Sequence, residues 1–79
     1  MRYVYILKSI PHPEENYVGV TDDIKRRLNE HNSGQSIHTN KFKPWKIVTY
    51  IAFSDCFKAD EFEKYLKTGS GRAFSAKRF

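Results

Sequence analysis

The chain is 79 residues long, 39% hydrophobic and 15% aromatic, with 14 Lys plus Arg against 9 Asp plus Glu for a formal charge of +5. That length holds one domain, residues 1–79, whose single core buries only about 60% of the unfolded surface. The lone Cys56 leaves no internal disulfide, no Cys/His spacing fits a zinc site, and no apolar run suits a signal peptide or membrane span, so a cytoplasmic setting and a polyanionic partner are expected.

Residues 3–7, Tyr-Val-Tyr-Ile-Leu, are β-branched and aromatic and predict a strand. Residues 9–16 carry two prolines and end in Glu-Glu-Asn, which marks a turn. Residues 17–21 predict a second strand returning as a hairpin partner of the first. Asp22 is placed to cap a helix that runs through Ser33 and stops at Gly34. Residues 35–44 read as a polar loop, and residues 45–53 as a third strand. Ser54 or Asp55 caps a second helix to about Lys67, which Gly69-Ser70-Gly71 breaks before a short basic helix over residues 72–79. The expected fold is α+β: a three-stranded antiparallel sheet flanked by about three helices.

Alternation along the strands separates two faces. Tyr3, Tyr5 and Leu7 share one with Tyr17 and Gly19, while Val4 and Ile6 share the other with Val18 and Val20. One face is aliphatic; the other sets phenols beside a glycine, where a neighbouring group can approach the backbone closely. Tyrosine is also a good strand residue, and packing under a helix accounts for any one of these taken alone.

The helices carry ionisable residues in their inward stripes. The first reads Ile24, Arg27, Leu28, His31, and the second Ala59, Phe62, Glu63, Leu66. A lone buried charge costs several kcal/mol (~3–5), so Arg27 and Glu63 need partners or a wet cleft. They either pair with each other as a semi-buried salt bridge, or line a cleft with Tyr5, Tyr17 and His31.

The ordered series Tyr3-Val4-Tyr5, Tyr17-Val18-Gly19, Thr21-Asp22-Asp23-Ile24, Arg26-Arg27-Leu28 and Glu30-His31-Asn32-Ser33-Gly34 resembles the GIY-YIG nuclease family. Lys43-Pro44-Trp45, Phe62-Glu63-Lys64-Tyr65-Leu66-Lys67 and Gly69-Ser70-Gly71-Arg72-Ala73-Phe74 extend the likeness over nearly the whole chain. The family includes the N-terminal nuclease domain of the excision-repair protein UvrC, and this chain looks most like its small standalone bacterial members. Where the first motif usually opens on glycine, this chain has Tyr3, which adds bulk next to Tyr5 without removing a catalytic atom.

The resemblance implies a metal-dependent DNA endonuclease. Glu63 would hold one Mg²⁺ or Mn²⁺, Arg27 would grip non-bridging phosphate oxygens, and Tyr5 or Tyr17 would deprotonate the attacking water. His31 would help a phenol shed its proton. Arg26, Lys41, Lys43 and Arg72 are candidate phosphate contacts, with Lys77 and Arg78 behind them. Specificity is expected to be low, or supplied by a protein partner in DNA repair or mobile-element processing. The rival reading keeps the fold as a nucleic-acid-binding or interaction module without turnover.

Overall fold

The computed structural model describes residues 1–79. Strand β1 spans Arg2–Ser9 and β2 spans Asn16–Thr21. They pair antiparallel, with Val4 opposite Val20, Tyr5 opposite Gly19 and Leu7 opposite Tyr17. Helix α1 covers Ile24–Asn32, and β3 covers Trp45–Phe53. Helix α2 covers Cys56–Leu66, and α3 covers Gly69–Arg78. The sheet order is β2-β1-β3, all antiparallel, so the first strand is central.

Each helix start has an identifiable cap. Asp23, rather than the expected Asp22, caps α1 by accepting from the Arg26 backbone N–H at 3.0 Å. Asp22 instead pairs with the Arg26 side chain at 2.9 Å. Asp55 caps α2, accepting from Phe57 and Lys58 N–H groups. Thr68 caps α3 by accepting from Gly71 N–H at 3.1 Å.

That last cap corrects the sequence reading. Gly69-Ser70-Gly71 does not separate two helices but opens the third one. A β-carbon on Gly71 would collide with the Tyr65 carbonyl and Leu66 Cα, so the glycine is there to let α3 start against the end of α2. The polar loop also holds more structure than its composition suggests. Asn40–Phe42 forms a 3₁₀ turn, anchored by the Ser9 hydroxyl donating to the Phe42 carbonyl at 2.6 Å.

The two faces of the sheet carry different helices. Val4 and Ile6 pack with Ala59 and Leu66 of α2, alongside Val18, Val20, Phe53 and Phe62. Tyr5 and Leu7 pack with Trp45, alongside Tyr17, Phe42, Ile47 and the α1 residues Ile24 and Leu28. The middle of β1 is therefore buried on both sides, with Val4 through Leu7 each no more than 5% exposed. Two small cores share one strand, so neither layer is stable without the other. Truncating Leu7 or Ile6 to Ala would cost about 2–5 kcal/mol.

Candidate active site

Gly19 explains why a phenol can fold across the sheet. It sits opposite Tyr5, and a β-carbon there would lie 2.6 Å from Tyr5 Cζ and 3.0 Å from Cε1. With only hydrogen at that position, the Tyr5 ring lies flat over β2 and its oxygen reaches α1. There the phenol and His31 Nε2 are 3.0 Å apart. The other imidazole nitrogen, Nδ1, is 2.6 Å from the Thr39 hydroxyl, and the Trp45 indole N–H donates to the Thr39 carbonyl at 2.9 Å. Both His31 and Thr39 are essentially fully buried. A hydrogen-bonded chain thus runs from the sheet through the helix into the loop, and no buried side-chain polar atom is left without a partner.

Tyr17 and Arg27 complete the cluster. The Tyr17 ring centroid lies 4.9 Å from that of His31 and 6.3 Å from that of Tyr5, and Tyr17 is half-buried. Arg27 Nη1 donates to Glu30 at 2.8 Å. Its other two nitrogens have no carboxylate partner, and its guanidinium lies close enough to Tyr5 to pull the phenol's pKa down.

Electrostatics hold the buried pair neutral. Burial pushes the Tyr5 phenol up to about 12, against a smaller opposing pull from Arg27. Burial, helped by the Arg27 charge, pushes His31 down to about 4. Near neutral pH the pair is an intact phenol beside a neutral imidazole. One imidazole nitrogen therefore accepts and the other donates.

Glu63 does not join these contacts. It sits on α2, which packs on the opposite face of the sheet, and its partner is Lys67 one turn further along the helix. The alternative of an Arg27–Glu63 salt bridge is not formed: each has its own neighbour, Glu30 and Lys67. A link between the faces runs around the edge strand β2. Tyr17, Lys67 and Arg72 line one hollow of about 760 Å³ together with Lys8 and Asn16. Glu63 is one turn from a lysine that shares this space with Tyr17.

The candidate phosphate contacts fall into two groups. Arg72 lies in that hollow. Lys41 and Lys43 flank the loop that Thr39 anchors, Lys41 over the Phe42 ring at 5.6 Å and Lys43 against Gly34. Arg26 points outward, paired with Asp22 at 2.9 Å and Glu30 at 3.6 Å. Sequence reasoning placed Glu30 beside Arg26, as found at 3.6 Å, but missed Thr39, the tie of Glu30 to Arg27, and Lys67. Glu30 and Lys67 stood at i, i+3 and i, i+4 from Arg27 and Glu63, a spacing that signals ion pairs on a helix. Nothing in the loop sequence distinguishes Thr39 from its neighbours.

The profile of the GIY-YIG catalytic domain matches residues 1–77. This chain belongs to the GIY-YIG family. Among curated GIY-YIG relatives, the structure-specific endonuclease subunit SLX1 of Candida dubliniensis is 42% identical over 71 residues, covering 81% of this chain and 25% of that protein. The SLX1 subunit of Debaryomyces hansenii is 37% identical over 54 residues, covering 61% of this chain and 16% of that protein. The chain thus spans a quarter or less of these SLX1 proteins. A UPF0213 protein of Cupriavidus necator is 33% identical over 78 residues, covering 94% of this chain and 83% of that protein. The GIY-YIG assignment makes this an endonuclease-family domain, and nucleic acid is the substrate class of that family. No helix is long and apolar enough to cross a membrane.

Proposed function

We propose that this GIY-YIG domain hydrolyses phosphodiester bonds in DNA with the help of one divalent metal ion, Mg²⁺ or Mn²⁺. The observation that carries the reading is the neutral Tyr5–His31–Thr39 chain, with the Tyr17 ring tilted against His31 and two Arg27 nitrogens free of carboxylates. A purely structural core would not need an imidazole, two phenols and a guanidinium in one place.

A single carboxylate would serve only a metal that arrives with its substrate. No group of three or more His, Cys, Asp or Glu could cage an ion. Mg²⁺ suits such a poor cage, because it keeps several waters and takes one or two carboxylates plus phosphate oxygens. Glu63 would be its protein ligand, exchanging the half-exposed Lys67 ammonium for the ion. When bound, the ion supplies positive charge that acidifies a coordinated water and offsets charge on the phosphate.

The chain's own groups divide the remaining work. Arg27, tethered by Glu30, presents its free nitrogens to non-bridging oxygens, whose geometry suits a guanidinium fork. Tyr17 is the more exposed phenol, half-buried where Tyr5 is only 3% exposed, so Tyr17 would take the proton of the attacking water as its own proton passes to solvent. Tyr5 orients the cluster and can hand its proton to His31 Nε2. Burial opposes that transfer at both ends, raising the Tyr5 phenol to about 12 and lowering His31 to about 4, which makes Tyr5 the costlier base. Lys41, Lys43 and Arg72 supply phosphate contacts without reading sequence.

The SLX1 relatives carry "structure-specific" and "subunit" in their names. Branched DNA is accordingly the favoured substrate, in repair or mobile-element processing, and a protein partner is the favoured source of specificity. The test is incubation of the purified protein with supercoiled, linear, branched and single-stranded DNA, and with RNA, across Mg²⁺, Mn²⁺ and chelator. Chelator-sensitive cutting that favours branched DNA is expected. Binding without cutting in every metal would reduce the domain to a nucleic-acid-binding module.

A further inference from the structure

A hollow of about 360 Å³ opens on the α1 face of the sheet, beside the first turn of α1. Its aromatic wall is Tyr3 and Tyr50, with ring centroids 6.0 Å apart and planes at 70°. Ile24 and Leu28 of α1 and Ile47 of β3 supply its apolar surface. Tyr50 is 54% exposed, a large ring standing open to solvent.

An irregularity in the sheet builds this wall. Leu7 pairs with Ile47 while the adjacent Ile6 pairs with Thr49, so β3 inserts an extra residue at that step. Ile47 and Tyr50 are three positions apart, and regular alternation would put them on opposite faces. The bulge returns both to the α1 side. Tyr3, where the first motif of the family usually begins with glycine, completes the wall.

The rim is unsuited to phosphate. Asp22 and Asp23 both line it, against a single lining cation, Lys25. Asp22 is tied to Arg26 and Asp23 caps α1, yet each carboxylate keeps acceptor capacity beyond that one contact. The phosphate-binding groups are close by, however. Tyr3 and Tyr5 are alternate residues on one strand face, about 7 Å apart, and Leu28 directly follows Arg27. A nucleotide held by its phosphate at Arg27 therefore has an aromatic, phosphate-repelling space within its own length.

We propose that this hollow receives an unpaired nucleobase of the substrate, stacked on Tyr50 and Tyr3, with the rim carboxylates accepting its N–H groups. The proposal rests on the nuclease reading for the identity of the polymer and adds how unpaired DNA is preferred over duplex. Stacking of one base on an aromatic side chain strengthens binding roughly five- to hundredfold, enough to separate a fork from a duplex.

The test is equilibrium binding by fluorescence anisotropy in chelator, so that nothing is cut. The probes are a DNA fork with unpaired thymidines at its junction, the same fork with abasic residues there, and the blunt duplex. The wild-type protein should bind the thymidine fork roughly tenfold more tightly than the abasic fork. Tyr50→Ala and Tyr50→Leu should both lose that preference while holding the blunt duplex as before. Leucine keeps the hollow apolar, so a hollow that docks a protein side chain would leave every DNA affinity unchanged. Equal wild-type affinity for the two forks, no binding to either, or a preference that survives in Tyr50→Leu overturns the proposal. Cutting without base preference would refute this hollow alone; base preference without cutting in metal would refute only the nuclease reading.

Discussion

Tyr5 Oη and His31 Nε2 lie 3.0 Å apart, and the surrounding burial makes either one costly to ionise. This pair joins the central strand to α1, and Thr39 extends it into the loop. Stability and the site thus depend on the same hydrogen bonds.

Acid should unfold the protein through this pair. His31 falls from 6.5 to about 4 on folding, so its contribution is complete above pH 6.5 and is lost as pH falls through 4. The loss amounts to about 3 kcal/mol, which for a domain of this size lowers Tm by more than ~10 °C. His31→Gln should be less stable near neutrality but lose less on acidification, and melting curves at both pH limits measure the difference. Equal acid loss in the two proteins would show that His31 is not buried neutral. At the alkaline end Tyr5, raised from 10 to about 12, contributes stability up to pH 10 that is lost by pH 12.

Gly19 and Gly69 should respond oppositely to alanine. Gly19→Ala forces a methyl into the Tyr5 ring, and the buried ring has nowhere to retreat. We expect a loss of about 1–3 kcal/mol together with weakened cleavage. A β-carbon on Gly69 meets nothing within 4 Å, so Gly69→Ala should be neutral or stabilise by up to about 1 kcal/mol. Thermal melting of both variants checks this, and a harmless Gly19→Ala would remove the reason given for the Tyr5 orientation.

Arg27 and Arg26 separate chemistry from binding. Arg27→Ala should slow cleavage by roughly 10²–10³-fold while reducing DNA affinity much less. Its partly exposed pair with Glu30 implies a stability loss below about 1 kcal/mol. Arg26→Ala should leave the cleavage rate intact and lower the salt slope of binding by about one phosphate at most. An Arg27→Ala protein that melts far lower yet cuts normally would make the residue structural.

Much of this arrangement was legible in the sequence. The alternation of phenols and aliphatics fixes the strand faces, and the run over β3 matches the structure end to end. The Tyr5, Arg27 and His31 grouping follows from the inward stripe of α1. The side of the sheet that α2 covers was not legible, because Ile24 and Leu28 of α1 and Ala59, Phe62 and Leu66 of α2 are both apolar stripes able to cover the aliphatic face. Glu63 consequently stands apart from Tyr5. Thr39 and the β3 bulge depend on contacts distant in sequence, and the start of α3 depends on close packing of Gly71 that composition does not encode.

The two phenols should differ in pH behaviour. Where chemistry limits the rate, cleavage should rise from neutrality toward pH 9, as a phenolic proton acceptor requires. Tyr17→Phe should be slow and lose that slope, whereas Tyr5→Phe should be slow but keep it. A rate–pH profile for each variant decides the assignment, and loss of slope only in Tyr5→Phe would reverse it.

In the proposed reading Glu63 is the protein ligand of the metal, so the cleavage rate of branched DNA by Glu63→Ala in Mg²⁺ is the most direct measurement. Removing a carboxylate near phosphate relieves repulsion, so metal-free DNA binding should be undiminished and the fold retained. Cleavage should fall to the level of the wild-type protein in chelator. A folded Glu63→Ala protein that cuts branched DNA in Mg²⁺ at the wild-type rate would contradict the account.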